Sequence, residues 1–117
     1  MEMIVAFPSP HTHADDELAT SALQMAALGS ETRLSLFRLL VVVGDQGLMT
    51  GQISQRLDLA GSTLNHHLAT LETAGLIERL REGRNIRCRV KADRVEGLVE
   101  YLTRNCCFEG EACDTHG

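Results

Sequence analysis

Two short apolar-periodic stretches, TGQISQRLDLA (residues 50–60) and GSTLNHHLATLETAG (residues 61–75), follow each other with only a tight turn between them. No other feature limits the fold so closely. On a helix of 3.6 residues per turn, Leu64, Leu68 and Leu71 fall at i, i+4 and i+7, a stripe that must face a core. Ser62, Asn65, His66, Ala69 and Thr73 take the opposite side, with Thr63 in the same opening turn. These short or hydrogen-bonding side chains suit close approach to base edges and phosphates in a major groove. Gly75 follows the last periodic residue and reads as a left-handed C′ glycine. In the preceding stretch Thr50 is the expected cap of a short helix that buries Ile53 and Leu57. Two helices joined so tightly, the second with a small-residue polar face, form a helix-turn-helix pattern.

The flanking chain supports that pair. Residues 1–14 hold both prolines and little periodicity and read as a mobile arm; its His11 and His13 form an H-x-H pair that more often than not has no role. From Asp15 a first helix is expected, with acids in its opening turn and a narrow seam of Leu18, Ala22, Met25 and Ala26. Ser30 should cap a second helix with Leu34, Phe37 and Leu40 or Val41 inside and Gly44 at its end; its dense apolar content places it near the centre. After Gly75 the period shortens to two, and LIERL, REGRN and IRCRV read as a β-hairpin. Its outward side chains are expected to be Arg79, Arg81, Arg84, Arg87 and Arg89, a wing able to grip phosphates because guanidinium matches their geometry bidentately. A last helix, roughly residues 92–105, carries Val95, Leu98, Val99 and Leu102 on one face. The expected organisation is therefore an arm (1–14), a folded domain (15–105) and a cysteine-containing tail (106–117).

Composition narrows the partners. One Tyr, three Phe and no Trp leave little bulk for a core in 117 residues, so a partner subunit would help. The net charge of −5 argues against a generally basic coat, yet residues 79–94 hold seven basic side chains against Glu82 and Asp93. Local patches set the potential a polyanion meets. No apolar run approaches a membrane span and no basic n-region precedes an apolar stretch, so neither a spanning helix nor a secretory signal is expected. Three of four cysteines crowd into the last twelve residues, with Cys106 and Cys107 adjacent, which cannot staple a fold and suits a reducing cytoplasm.

ALGSETRLSLFRLL and GSTLNHHLATLETAGLIERLREGR together resemble the ArsR/SmtB-type winged-helix repressors, over about residues 18–104. The resemblance implies a mainly α fold with a β-hairpin wing, a winged helix-turn-helix that dimerises through its first and last helices. It assigns Leu18, Ala22, Met25, Val95, Leu98, Val99 and Leu102 to the subunit interface. It assigns Ser62, Thr63, Asn65, His66, Arg79, Arg81, Arg84 and Arg87 to double-stranded operator DNA, with recognition helices about 34 Å apart in the homodimer. One departure is Ala60, where relatives often carry a capping serine; losing a cap costs about 1 kcal/mol unless Ser62 takes over or the helix starts late. Two familiar ligand sites are missing: Met49 and Gly51 stand where a Cys-x-Cys would, and the last helix offers Asp93 but no His.

What the chain does offer is NCCFEGEAC. Cys106, Cys107 and Cys113 can converge on one small soft centre, with Gly110 allowing the segment to fold back. Three thiolates suit As(III) or Sb(III), and some arsenic-responsive members of the family resemble this pattern, so the expected regulator is a repressor whose apo dimer leaves its operator when As(III) binds. A zinc or cadmium site completed by His116 is the alternative within the class. A disulfide between the adjacent cysteines would close a strained ring. Cys88 reads as a small strand residue, and His67 as a packed, hydrogen-bonded neighbour of the leucine stripe, leaving His66 the better base reader. A helix-turn-helix serving as a protein-interaction module is the rival from another class. No nucleophile triad, phosphate loop or paired carboxylates mark an enzyme.

Overall fold

A computed structural model describes residues 13–107. The chain runs α1 (His13–Ala27), α2 (Glu31–Val43), a 3-10 turn (Gly44–Gln46), β1 (Leu48–Met49), α3 (Thr50–Leu57), α4 (Gly61–Thr73), β2 (Ile77–Glu82), β3 (Asn85–Val90) and α5 (Ala92–Thr103). Helix α1 begins at His13, two residues before the expected start, and α5 ends at Thr103 rather than near Asn105. The strands form one antiparallel sheet in the order β1-β3-β2. The two-residue strand β1 is too short to carry a period, and the sequence shows it only as loop.

Local chemistry explains most boundaries. Ser30 Oγ accepts the Arg33 N–H at 3.3 Å and starts α2, which Gly44 ends at φ 85°. Helix α4 closes in a Schellman arrangement: the Leu76 N–H reaches the Leu71 carbonyl at 3.1 Å and the Gly75 N–H reaches that of Glu72 at 2.9 Å. Gly75 holds φ 79° there, which a Cβ would penalise. The expected cap of α3 is corrected: Met49 is the N-cap, its N–H donating to Gln52 Oε1 at 2.8 Å, and Thr50 is already helical. At the other sheet edge a Cβ on Gly47 would collide with the Cys88 carbonyl, so only glycine lets β1 lie against β3.

The core is aliphatic. Leu36, Leu40, Ile53, Leu64, Leu68, Leu71, Leu76, Ile77 and Cys88 are fully buried, and Phe37 joins them. All three leucines of the α4 stripe are inside, so the helix is fixed by its buried side, where truncating one leucine to alanine costs about 2–5 kcal/mol. Helix α2 lies at the centre as its composition implied, but with one face only. Leu36, Phe37 and Leu40 turn inward, Leu40 rather than Val41 taking the inner position, whereas Leu34, expected inside, is exposed and Val42 is 71% exposed. A run of apolar residues on one helix cannot all face one core at 100° per residue.

Candidate nucleic-acid interface and thiol pair

Helices α3 and α4 are joined by residues 58–60. Asp58 adopts the left-handed conformation, φ 54°, as the C-cap of α3, and Ser54 Oγ donates to the Leu59 carbonyl at 2.5 Å, fixing the turn. Ala60 is the N-cap of α4 and supplies no side-chain bond, so α4 starts on schedule without its cap. Its opening amides are left for an outside acceptor, the usual disposition at a phosphate contact. Ser62, Thr63, Asn65 and His66 are all exposed over this first turn and a half. His67 takes the other flank, half-buried, with Arg33 Nη1 3.4 Å from its Nδ1, while Arg33 Nε donates to the Ala27 carbonyl at 2.7 Å. Burial, reinforced by the neighbouring charges of Arg33 and His66, holds His67 below the ordinary histidine range, so its neutral ring accepts from Arg33.

The wing differs from its expected form. Cross-strand partners share a face, and the register pairs Arg79 with Cys88, Arg81 with Ile86, Leu80 with Arg87 and Glu78 with Arg89. Arg79 and Arg81 therefore lie on the Cys88 face, and Arg87 and Arg89 on the opposite one. The five arginines cannot form one outward row, because a period of two splits them between the faces. Three are also engaged: Arg79 with Glu72 of α4 at 2.9 Å, Arg89 with Glu78 at 2.5 Å, and Arg87 with Glu82 at 2.8 and 3.2 Å and with the Gln46 carbonyl at 2.7 Å. Exposed Arg81 and Arg84, near and in the two-residue turn, make no ion pair among the described residues. Glu72 and Arg79 pin the wing to the exposed helix, a tie separated by seven residues that helical spacing alone did not show.

The described part of the thiol site lies just past α5. Cys106 and Cys107 are exposed and their sulfurs are 3.5 Å apart. Asn105 and Cys107 both hold φ 63°, turning the chain sharply after the helix. Cys113 and His116 lie outside the described residues, and among those described no group of three or more His, Cys, Asp or Glu converges. Two soft sulfurs side by side fit a thiophilic centre that a further thiolate could complete. Cys88 is no part of this: it is fully buried in β3, and burial pushes its thiol up to about 11.

Sequence spacing gave no hint of what joins the thiol pair to the rest. Arg104, two residues before Cys106, donates from Nη1 and Nη2 to the two Glu17 oxygens of α1 at 2.8 and 2.9 Å. It also bonds Glu100 at 3.0 and 2.5 Å and lies 5.5 Å from the Tyr101 ring centre. Its hydrogen bonds hold the Glu100 carboxyl below the ordinary carboxylate range. The predicted interface residues divide here. Leu98 is buried under α1 and Val95 packs on the core, whereas Leu18, Ala22, Met25, Val99 and Leu102 are exposed.

A helix-turn-helix whose second helix exposes a polar face, with a β-hairpin wing pinned beside it, defines a winged helix-turn-helix protein. Comparison with known proteins agrees. A helix-turn-helix domain family matches residues 28–79. The chain is 30% identical over 89 residues to the transcriptional activator HlyU of Vibrio cholerae, covering 76% of this chain and 80% of that protein. It is 35% identical over 60 residues to the "Putative arsenical resistance operon repressor ArsR" of Halobacterium salinarum, covering 51% of this chain and 46% of that one. An ArsR-like transcriptional regulator from Rhodococcus sp. RHA1 superposes with a TM-score of 0.65 at 29% identity, covering 74% of this chain and 79% of its own. The chain belongs to the ArsR/SmtB-type winged-helix transcription regulators, and its role is regulatory rather than catalytic. No helix among the described residues is long and apolar enough to cross a membrane.

Proposed function

We propose that this protein is a metalloid-responsive repressor: its homodimer holds operator DNA and lets go when Cys106, Cys107 and Cys113 bind As(III), or Sb(III), one site per subunit. The observation that carries the reading is the Cys106–Cys107 pair, sulfurs 3.5 Å apart, directly behind Arg104 and its bridge to Glu17. On the DNA side, Ser62, Thr63, Asn65 and His66 read the major groove, and Arg81 and Arg84 reach the flanking phosphates. Subunits join through the exposed apolar faces of α1 and α5.

Thiolates must form for this chemistry, so occupancy rises with pH below the thiol pKa. Gathering Cys113 onto the adjacent pair redirects residues 104–107, and Arg104 passes that change to the start of α1, which lies in the proposed dimer seam. Such coupling is commonly about 1–3 kcal/mol and is reciprocal, so operator DNA weakens arsenite binding by the same factor. The test is arsenite titration of reduced protein on a duplex selected from random DNA, followed by fluorescence anisotropy. Wild type should release the duplex, while Cys106→Ser and Cys107→Ser should bind it equally well and keep it. Release of either variant at the wild-type arsenite concentration defeats the reading.

A further inference from the structure

The Glu17–Arg104 bridge sets the start of α1 beside the end of α5, and the two helices pack antiparallel. Their apolar residues Leu18, Met25, Val99 and Leu102 lie along one flank of the pair, and an open cleft of about 590 Å³ runs along the other. Helical spacing places Leu18 and Met25 to one side of Ser21, and Thr20 and Asp16 to the other. A dimer formed through the apolar flank therefore leaves the cleft accessible. Its size falls within the range of small-molecule pockets.

Two features mark it as more than a gap between helices. Gln24, on the cleft wall, is only 3% exposed, and neither end of its amide has a partner among the described residues. A buried amide without a partner is costly, and an incoming ligand would satisfy it. Gly97 faces the same space in the middle of α5, where a Cβ would meet nothing within 4 Å. Glycine weakens a helix interior, and here it fills no packing need, so its effect is to keep the cleft open. The charged lining carries both signs. Asp93 and Arg94 open α5 on the cleft, and Asp16 lies toward its far end; none of the three makes an ion pair among the described residues.

We propose that this cleft binds a small zwitterion, an α-amino acid. Arg94 takes the carboxylate, Asp93 takes the ammonium and the Gln24 amide bonds whichever of the two lies against the cleft wall. The side chain runs past Gly97 toward Asp16, which favours a cationic end. The Arg94 guanidinium also covers Gly75, the residue that ends α4. A ligand that draws on Arg94 is thereby felt at the helix presented to DNA. This site shares no residue with the cysteine pair and stands whether or not the metalloid reading holds.

Calorimetry and thermal melting of the full-length protein test it, using L-lysine, L-arginine and L-leucine as probes and n-butylamine and butyrate as single-charge controls. L-lysine should give saturable heat in the millimolar range or tighter and raise the melting temperature. Gln24→Leu should weaken that binding about tenfold or more. Gly97→Leu, which fills the cleft, should abolish it while melting stays cooperative. The proposal is overturned if no amino acid binds saturably, if butylamine or butyrate binds as tightly as L-lysine, or if Gly97→Leu binds like wild type.

Discussion

Cysteine occurs at Cys88 and at Cys106 with opposite consequences. In β3 the side chain is fully enclosed and cannot shed its proton cheaply, whereas past α5 it is open to solvent beside a second sulfur. Thiolate is the reactive and ligating form, so burial alone removes Cys88 from the chemistry. Thiol reagents at neutral pH should label Cys106 and Cys107 in the native protein and Cys88 only after denaturation; rapid native labelling of Cys88 would contradict its placement. The sign of the pH effect follows from the same burial. The folded thiol keeps its proton up to about 11, against 9.0 without burial, so above pH 9 the unfolded chain loses protons that the folded chain retains. This residue's contribution to stability should fall between pH 9 and 11, and Cys88→Ala should flatten that part of a denaturation series. His67 was legible as a packed residue from its place beside the leucine stripe. Its partner Arg33 was not, because 34 residues separate them.

The wing shows at the element scale how a correct assignment can carry a wrong face. Alternation in LIERL and IRCRV gives a hairpin, and the hairpin forms. Which alternate set faces inward depends on where the sheet meets α2 and α4, and that is a property of packing rather than of the strand itself. The arginines divide accordingly into ties and free ends. Arg79 secures the wing to Glu72 on α4, whereas Arg84 occupies the turn with no partner among the described residues. On the proposed DNA-bound arrangement, Arg84→Ala should leave thermal stability unchanged and lower the slope of log affinity against log salt by about one phosphate. Arg79→Ala should destabilise the fold slightly, since a partly exposed pair contributes about 1 kcal/mol or less, and should loosen the wing. Equal salt slopes for wild type and Arg84→Ala would take the turn arginine out of the phosphate contact.

For the molecule as a whole, the weak point is the apolar flank of α1 and α5. Val99 and Leu102 are more than half exposed at 56% and 54%, and Leu18 and Met25 nearly so. Inside the subunit α1 is held instead by Ser21, Gln24 and Ala27, a poor set for burial energy. A second copy covering the flank would supply the apolar burial that a chain with so few aromatic residues lacks. On the proposed dimer, Val99→Glu with Leu102→Glu should therefore shift the protein from dimer to monomer in sedimentation velocity and weaken DNA binding with it. A double variant that still sediments as a dimer would place the interface elsewhere.

By itself, the sequence determined the succession of helices, the helix-turn-helix, the hairpin, the leucine stripe of α4 and the terminators at Gly44 and Gly75, because each depends on residues a few positions apart. Tertiary structure decided what depends on distant partners: the split of the wing arginines, the displacement of Leu34 to the surface and the choice of Leu40 over Val41, the Arg104 bridge to Glu17 across 87 residues, and the cleft between α1 and α5. A local period says that a face exists. Only the packed chain says what that face meets.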